Sequence, residues 1–194
     1  MSLFRKAALG AAMSLAALGG SAISISFAPA FAEMIVEVGG APMYPSKTII
    51  ENAVNSKDHT TLVAAIQAAG LVETLQGDGP FTVFAPVNKA FEKLPKGAVE
   101  SLLKPENKPA LTAILTYHVI PGKISAADFV AAVKKGGGEA AYKTVEGEEL
   151  TVKQNGRRLV IIDAKGDKSF VTIADVNQKN GIIHVVDTVL LPKS

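Results

Sequence analysis

The sequence predicts an α+β fold with its helices first and its strands last. Three observations carry this. Between residues 46 and 135 apolar residues recur at helical spacing, as with Leu62, Ala65, Ile66 and Ala69 at i, i+3, i+4 and i+7. From residue 150 the period falls to two: Leu150, Val152 and Gln154 alternate with Thr151 and Lys153. Asn155-Gly156 lies between two such runs and is a strong hairpin signal. Helices segregated from strands point to α+β and away from alternating βαβ units.

Residues 1–32 read as a signal peptide. Arg5 and Lys6 form a basic start, residues 7–27 carry no charge, and Ala30-Phe31-Ala32 ends the run with a small-residue cleavage site. Cleavage is expected after Ala32. Residues 33–45 hold Gly39, Gly40, Pro42 and Pro45 and read as an extended lead-in; residues 46–194 read as one domain. Ser46 is placed to cap a helix through about Val54. A second helix runs from about Thr60 to Gly70, a natural left-handed C′ residue, and residues 71–75 add a turn. Gly77-Asp78-Gly79-Pro80 is a break before a short buried strand at 81–85. Pro86 opens a helical turn through Phe91, with Asn88 as its cap. Residues 98–103 form a short helix. Pro109 opens the next one, with Leu111, Ile114, Leu115 and His118 on one face and Pro121-Gly122 as its stop. Ser125 and Asp128 resemble a capping box for a helix through about Val133, closed by Gly136-Gly137-Gly138. Strands are expected at 150–154, 159–162, 170–173 and 182–191. The last is apolar on both faces, as in a central strand.

Composition excludes several function classes. The chain has 194 residues, 48% of them hydrophobic, and no Cys. Disulfides, thiolate zinc sites and a Cys nucleophile are therefore excluded. Arg5 and Lys6 are the only charged residues before Glu33; beyond them 18 basic residues balance 18 acidic ones. Such a chain has no long-range field to gather phosphates, so nucleic acid is not an expected partner. No later apolar run reaches spanning length, so the mature chain is not expected to insert into a membrane. The expected location is secreted or periplasmic.

Motifs for chemistry are missing. There is no Gly-x-Ser-x-Gly, no P-loop and no Gly-x-Gly-x-x-Gly. His59, His118 and His184 are spread without metal-ligand spacing, so neither a metal nor a cofactor is assigned. His118 and His184 lie in apolar stretches and read as hydrogen-bonded core imidazoles. The alternative is a small exported hydrolase or metal-dependent enzyme using His118 or His184 as base, with Asp187 orienting the ring. It needs an activated Ser that no sequence context supplies, and His184 and Asp187, three apart on a strand, face opposite ways. No catalytic residue is assigned. Asp175 reads as bonding local backbone amides ahead of the Asn180-Gly181 turn. Lys134-Lys135 and Arg157-Arg158 read as solvated basic pairs.

Three stretches together resemble the fasciclin (FAS1) family. They are Thr82-Val83-Phe84-Ala85-Pro86-Val87-Asn88-Lys89-Ala90-Phe91, then Leu115-Thr116-Tyr117-His118-Val119-Ile120-Pro121-Gly122, then residues 180–192, which open on Asn180-Gly181-Ile182-Ile183-His184. They resemble the family's first block, its Tyr-His region and its second block, in the family's order. Val87 stands where many members carry Thr or Ser. Met43-Tyr44-Pro45 is similar to the lead-in of small secreted bacterial single-domain members. The resemblance implies a β-sandwich-like core with flanking helices and a non-catalytic role in adhesion, through an extracellular or envelope protein or glycan. It also implies binding positions. In animal members an Asp-Ile pair before the second block, and the Tyr-His region, are linked to partner binding. The matching residues here are Asp175 and Val176, with Val in place of Ile, and Tyr117 and His118.

Overall fold

A computed structural model describes residues 35–193, and the signal-peptide reading of residues 1–32 lies outside them. Strands β1 (Val36–Val38) and β2 (Ala41–Met43) pair antiparallel across Gly39-Gly40, so the extended lead-in contains a hairpin. Helix α1 (Ile49–Ala53) is capped by Thr48 rather than Ser46. The Thr48 hydroxyl accepts from the Glu51 N–H, and the Glu51 carboxylate accepts from the Thr48 N–H, so two orphan donors are satisfied reciprocally. Helix α2 (Thr60–Ala69) buries the four residues its period picks out and ends at Gly70, φ 73°. Helix α3 (Val72–Gln76), strand β3 (Phe81–Pro86), helix α4 (Asn88–Glu92) and helix α5 (Ala98–Leu102) follow.

Helix α6 (Lys108–Tyr117) stops just before His118, and strand β4 (Val119–Pro121) leaves it at once. The helical period runs on to residue 118, but β-branched Val119-Ile120 pairs with β3 instead. Helix α7 (Ala126–Lys135) carries the expected capping box of Ser125 and Asp128. Strand β5 (Glu139–Lys143) was not expected: only Ala140 and Tyr142 turn partly inward, between exposed Glu and Lys. Strands β6 (Glu149–Asn155) and β7 (Arg158–Ile162) form the hairpin. Asn155 pairs with Arg158, so Gly156 (φ 60°) and Arg157 are the turn's central residues, one position later than the Asn-Gly pair. Strand β8 (Lys168–Gln178) is far longer than the expected 170–173. Strand β9 (Gly181–Val186) ends well before 191. Beyond it side chains replace the ladder: the Leu190 N–H donates to His118 Nε2 and the Leu191 N–H to Asp163 Oδ2, both at 2.9 Å.

The larger sheet has the order β4-β3-β9-β8-β7-β6-β5, with only β3 and β9 parallel. All six residues of β9 are buried, as a central strand requires. Gly181 is needed where β9 starts: a Cβ there would lie 2.2 Å from the Phe81 carbonyl oxygen. The sheet folds back on itself. The Val145 N–H, just past β5, donates to the Val119 carbonyl in β4 at 2.8 Å, so the two edges meet.

Alternation along β3 and β9 divides the interior in two. Val83, Ala85, Ile183 and Val185 face the helices, with Ile49, Leu62, Ile66 and Leu115. Phe84 and Val186 face inward between the folded layers, with Phe129 of α7, Leu150, Val152 and Ile161. Among the described residues no helix is long and apolar enough to cross a membrane.

Candidate functional site

The ladder between β8 and β9 is irregular between Val171 and Val176, and Asp175 sits inside that irregularity. Its φ is 58°, the one positive value among described non-Gly residues. Asp tolerates this left-handed geometry better than most residues. The twist turns its carboxylate out of the strand toward α7. The Ala126 N–H, an orphan donor in the helix's first turn, donates to Asp175 Oδ1 at 2.7 Å. The amide that Asp175 binds is therefore 49 residues distant, not local.

The same twist frees the main-chain N–H of Asp175, which donates to His184 Nδ1 at 3.3 Å. His184 Nε2–H donates to the Ile124 carbonyl at 2.9 Å. The ring is thus a neutral bridge between β8, β9 and the entry to α7. It packs against Phe84 and Phe129, with ring centroids 5.9 and 5.4 Å away. Burial pushes its pKa below the usual range, against smaller upward pulls from the Ile124 carbonyl and Asp175.

His118 repeats the device with the opposite tautomer. Nδ1–H donates to the Ile114 carbonyl at 2.7 Å, capping the end of its own helix. Nε2 accepts from the Leu190 N–H at 2.9 Å. The ring is 3% exposed, and burial pushes its pKa down to about 4, against the Ile114 carbonyl and Asp163. Tyr117 beside it is fully buried. Its hydroxyl donates to the Glu149 carbonyl and accepts from the Ala164 N–H, each at 2.9 Å. Burial is the main reason its pKa is pushed up to about 12. Asp163 completes this group by accepting from the Lys165, Asp167 and Leu191 amides.

The four predicted binding residues thus occupy different settings. Tyr117, His118 and Val176 lie in the interior, at 0, 3 and 1% exposure, and Asp175 is half-buried. Tyr117 and His118 brace the α6 end, while Asp175 braces α7; the two hydrogen-bond groups share no member. Among the described residues, Asp175 Oδ2 has no protein partner. Asp187 does not orient His184: it accepts from the Phe170 N–H and the Thr188 hydroxyl and lies 3.6 Å from the Lys93 ammonium. Both nitrogens of His118 and of His184 are engaged by the main chain, so neither ring is placed as a base. The third ring, His59, bonds Ser56 Oγ through Nδ1, and its Nε2 has no hydrogen-bond partner at normal distance. It lines an apolar cavity of about 30 Å³ with Val38, Leu62 and Ile183. Among the described residues no three His, Asp or Glu are grouped to hold a metal ion.

Two asparagines do more than their sequence positions indicate. Asn88 was expected to cap its own helical turn. Instead Oδ1 accepts from the Thr61 N–H at 3.0 Å and Nδ2 donates to the Lys57 carbonyl at 2.8 Å, so it caps α2 across the fold. Asn180 accepts from the Ile49 N–H and donates to the Leu75 and Gly77 carbonyls, tying α1 and the end of α3 to the start of β9. Their place in the first and second blocks was the only sequence signal of such roles.

The family model of the fasciclin domain matches residues 57–192, which hold all three blocks and both histidine bridges. The chain belongs to the fasciclin-domain family. This fasciclin domain is 51% identical to protein sll1483 of Synechocystis sp. over 145 residues, covering 75% of this chain and 73% of that protein. It is 33% identical to immunogenic protein MPB70 of Mycobacterium bovis, covering 94% and 95% of the two chains. Among solved structures it is similar to a FAS1 domain pair from the insect cell adhesion molecule fasciclin I, with a TM-score of 0.67 and 23% identity. That match covers 75% of this chain and 51% of the insect chain, so this fasciclin domain spans about half of the pair.

Proposed function

We propose that this fasciclin domain is an exported, non-catalytic binding module of the adhesion type, contacting a protein or glycan in the periplasm or outside the cell. One observation carries the reading. The imidazoles that an enzyme would use, His118 and His184, are each closed on two main-chain groups, which leaves the surface as the place of action. The kinship with a domain pair from an insect cell adhesion molecule supports it. Export is supported by the sequence of residues 1–32. Asp175 is the contact residue in this reading: its Oδ1 fixes α7, and Oδ2 is left for a donor on the partner. Tyr117, His118 and Val176 are interior residues that hold the scaffold rather than touch the partner. Loops and irregular strands on a rigid scaffold are common positions for binding residues.

The test compares Asp175→Asn with the parent for retention on native envelope and extracellular fractions. Asn keeps an acceptor for the Ala126 N–H and tolerates the left-handed backbone, so folding is preserved. Loss of a charge-assisted contact weakens binding by roughly 1.5–3 kcal/mol, about ten- to a hundredfold. Unchanged retention at unchanged thermal stability moves the contact elsewhere.

A further inference from the structure

The sequence holds two Asn-Gly pairs, and the fold treats them oppositely. Asn155-Gly156 lies at the tip of the β6–β7 hairpin, where Asn155, Gly156, Arg157 and Arg158 are all exposed. Among the described residues neither the Asn155 carboxamide nor the Gly156 N–H has a hydrogen-bond partner. Asn155 closes the ladder opposite Arg158, so only that last exposed pair has to fray for the tip to change its backbone angles. Gly156 carries no Cβ to crowd its own nitrogen. Asn180-Gly181 joins β8 to β9, and both residues are buried. Asn180 Oδ1 accepts from the Ile49 N–H at 3.0 Å, and Nδ2 donates to the Leu75 and Gly77 carbonyls at 2.8 and 2.9 Å. The Asn180 main-chain carbonyl accepts from the Phe81 N–H at 3.0 Å, and Gly181 pairs with Gln178 while packed against the Phe81 carbonyl. A carboxylate at position 180 would face the Leu75 and Gly77 carbonyls with no hydrogen to give them.

We infer that Asn155 is a site of non-enzymatic deamidation which the fold tolerates, and that Asn180 is held from the same reaction. At the hairpin tip the Gly156 nitrogen attacks Asn155 Cγ. The N–Cγ bond forms and the Cγ–Nδ2 bond breaks; Nδ2 leaves as ammonia, taking the proton from the Gly156 nitrogen, and a cyclic succinimide remains. Water then adds at either imide carbonyl. Cleavage of the N–Cγ bond gives Asp. Cleavage of the bond from that nitrogen to the Asn155 main-chain carbon gives isoaspartate, whose chain runs on through Cγ. The net exchange takes up water and releases ammonia. In the Asp product the new carboxylate stands across the ladder from Arg158, an opposite-charge pair that a sheet favours. The hairpin tip therefore gains negative charge with age while the interior keeps its amide. This holds whether or not the domain is a binding module.

The experiment incubates the purified protein at mildly alkaline pH and maps its peptides by mass spectrometry, beside two free peptides that carry the same Asn-Gly sequences. Asn155 is expected to convert within roughly tenfold of the rate in its free peptide, since a fraying tip opens at little cost. Asn180 reacts only when the protein unfolds, so it should be slower than its free peptide by about a thousandfold or more. In urea both sites are expected to convert like their peptides. Asn155→Ser should abolish the acidic form that builds up on isoelectric focusing. Asn155→Asp should keep the parent's melting temperature, whereas Asn180→Asp should lower it sharply or prevent folding. An Asn155 that stays intact while its free peptide converts overturns the inference. So does an Asn180 that converts in the folded protein as fast as Asn155, or that stays intact in urea. An Asn155→Asp protein as destabilised as Asn180→Asp overturns the claim that the fold tolerates the change.

Discussion

Replacing His118 by Leu should leave a specific signature in stability against pH. The substitution keeps an apolar body of similar size but removes both ring nitrogens. The Leu190 N–H then has no acceptor in a setting where Leu190 is 1% exposed, and the Ile114 carbonyl loses its cap. Each buried group left unpaired costs about 1–3 kcal/mol, so the variant should lose roughly 2–5 kcal/mol at pH 7.5. The parent has a pH term that the variant lacks. In the fold His118 holds its proton only below about pH 4, whereas an exposed His does so below about pH 6.5. The unfolded chain therefore takes up the proton first as pH falls. The stabilisation is fully present above about pH 6.5 and is lost on the way down to about pH 4; a shift of this size is worth about 3 kcal/mol. Urea unfolding of both proteins between pH 7.5 and pH 4 measures the gap directly. It should shrink with falling pH, by about 2 kcal/mol already at pH 5, because the parent weakens and the variant does not share that loss. A gap that stays constant across the range would refute the assignment of His118 as a neutral, doubly bonded core ring.

Other outcomes are equally specific. Tyr117→Phe should lower stability by about 1–3 kcal/mol, since the Glu149 carbonyl and the Ala164 N–H both lose the hydroxyl; calorimetric melting reads the change. Asp175→Val should cost about 2 kcal/mol or more, combining a β-branched residue at φ 58° with an uncapped Ala126 N–H, whereas Asp175→Asn should stay close to the parent in the same melt. Gly181→Ala should prevent folding or lower the melting temperature sharply, because its Cβ would meet the Phe81 carbonyl at 2.2 Å; circular dichroism distinguishes this from a mild effect. N-terminal sequencing of the exported protein should begin at Glu33, and a chain that retains Arg5 and Lys6 would argue for an anchored protein.

What the sequence revealed and what it concealed have physical causes. Helices α2 and α7 announce themselves through an apolar stripe, a C′ glycine or a capping box, all local signals. Strand β9 is legible because both its faces are apolar. The strands missed or misjudged in length depend on distant partners. β4 exists because β3 has an edge to offer, and β5 alternates too weakly to read alone. β9 ends at Val186, and the apolar residues 189–192 that follow Asp187 and Thr188 are held through the Leu190 and Leu191 N–H groups by His118 and Asp163, contacts no periodicity encodes.

The candidate site was legible in part. That His118 and His184 are core rings followed from their apolar neighbours, but their tautomers are set by Ile114, Ile124, Asp175 and Leu190. Asp175 was marked by its place before Asn180-Gly181. Its reach to Ala126 was not, because the strand irregularity that turns it is a property of pairing with β9. The Arg157-Arg158 pair read as solvated. Both side chains are exposed in the fold.

The most direct test of the account compares surface and interior variants at matched folded fraction. Retention on native envelope and extracellular fractions would be measured for the parent, Asp175→Asn and His184→Leu, with the folded fraction of each sample fixed by urea melts. The account predicts that Asp175→Asn loses retention at unchanged stability. It predicts that His184→Leu loses stability and retains binding in proportion to the protein still folded. A His184→Leu protein that is fully folded yet no longer binds, or that has lost a catalytic turnover shown by the parent, would contradict the claim that the buried histidines serve the fold and the surface serves the function.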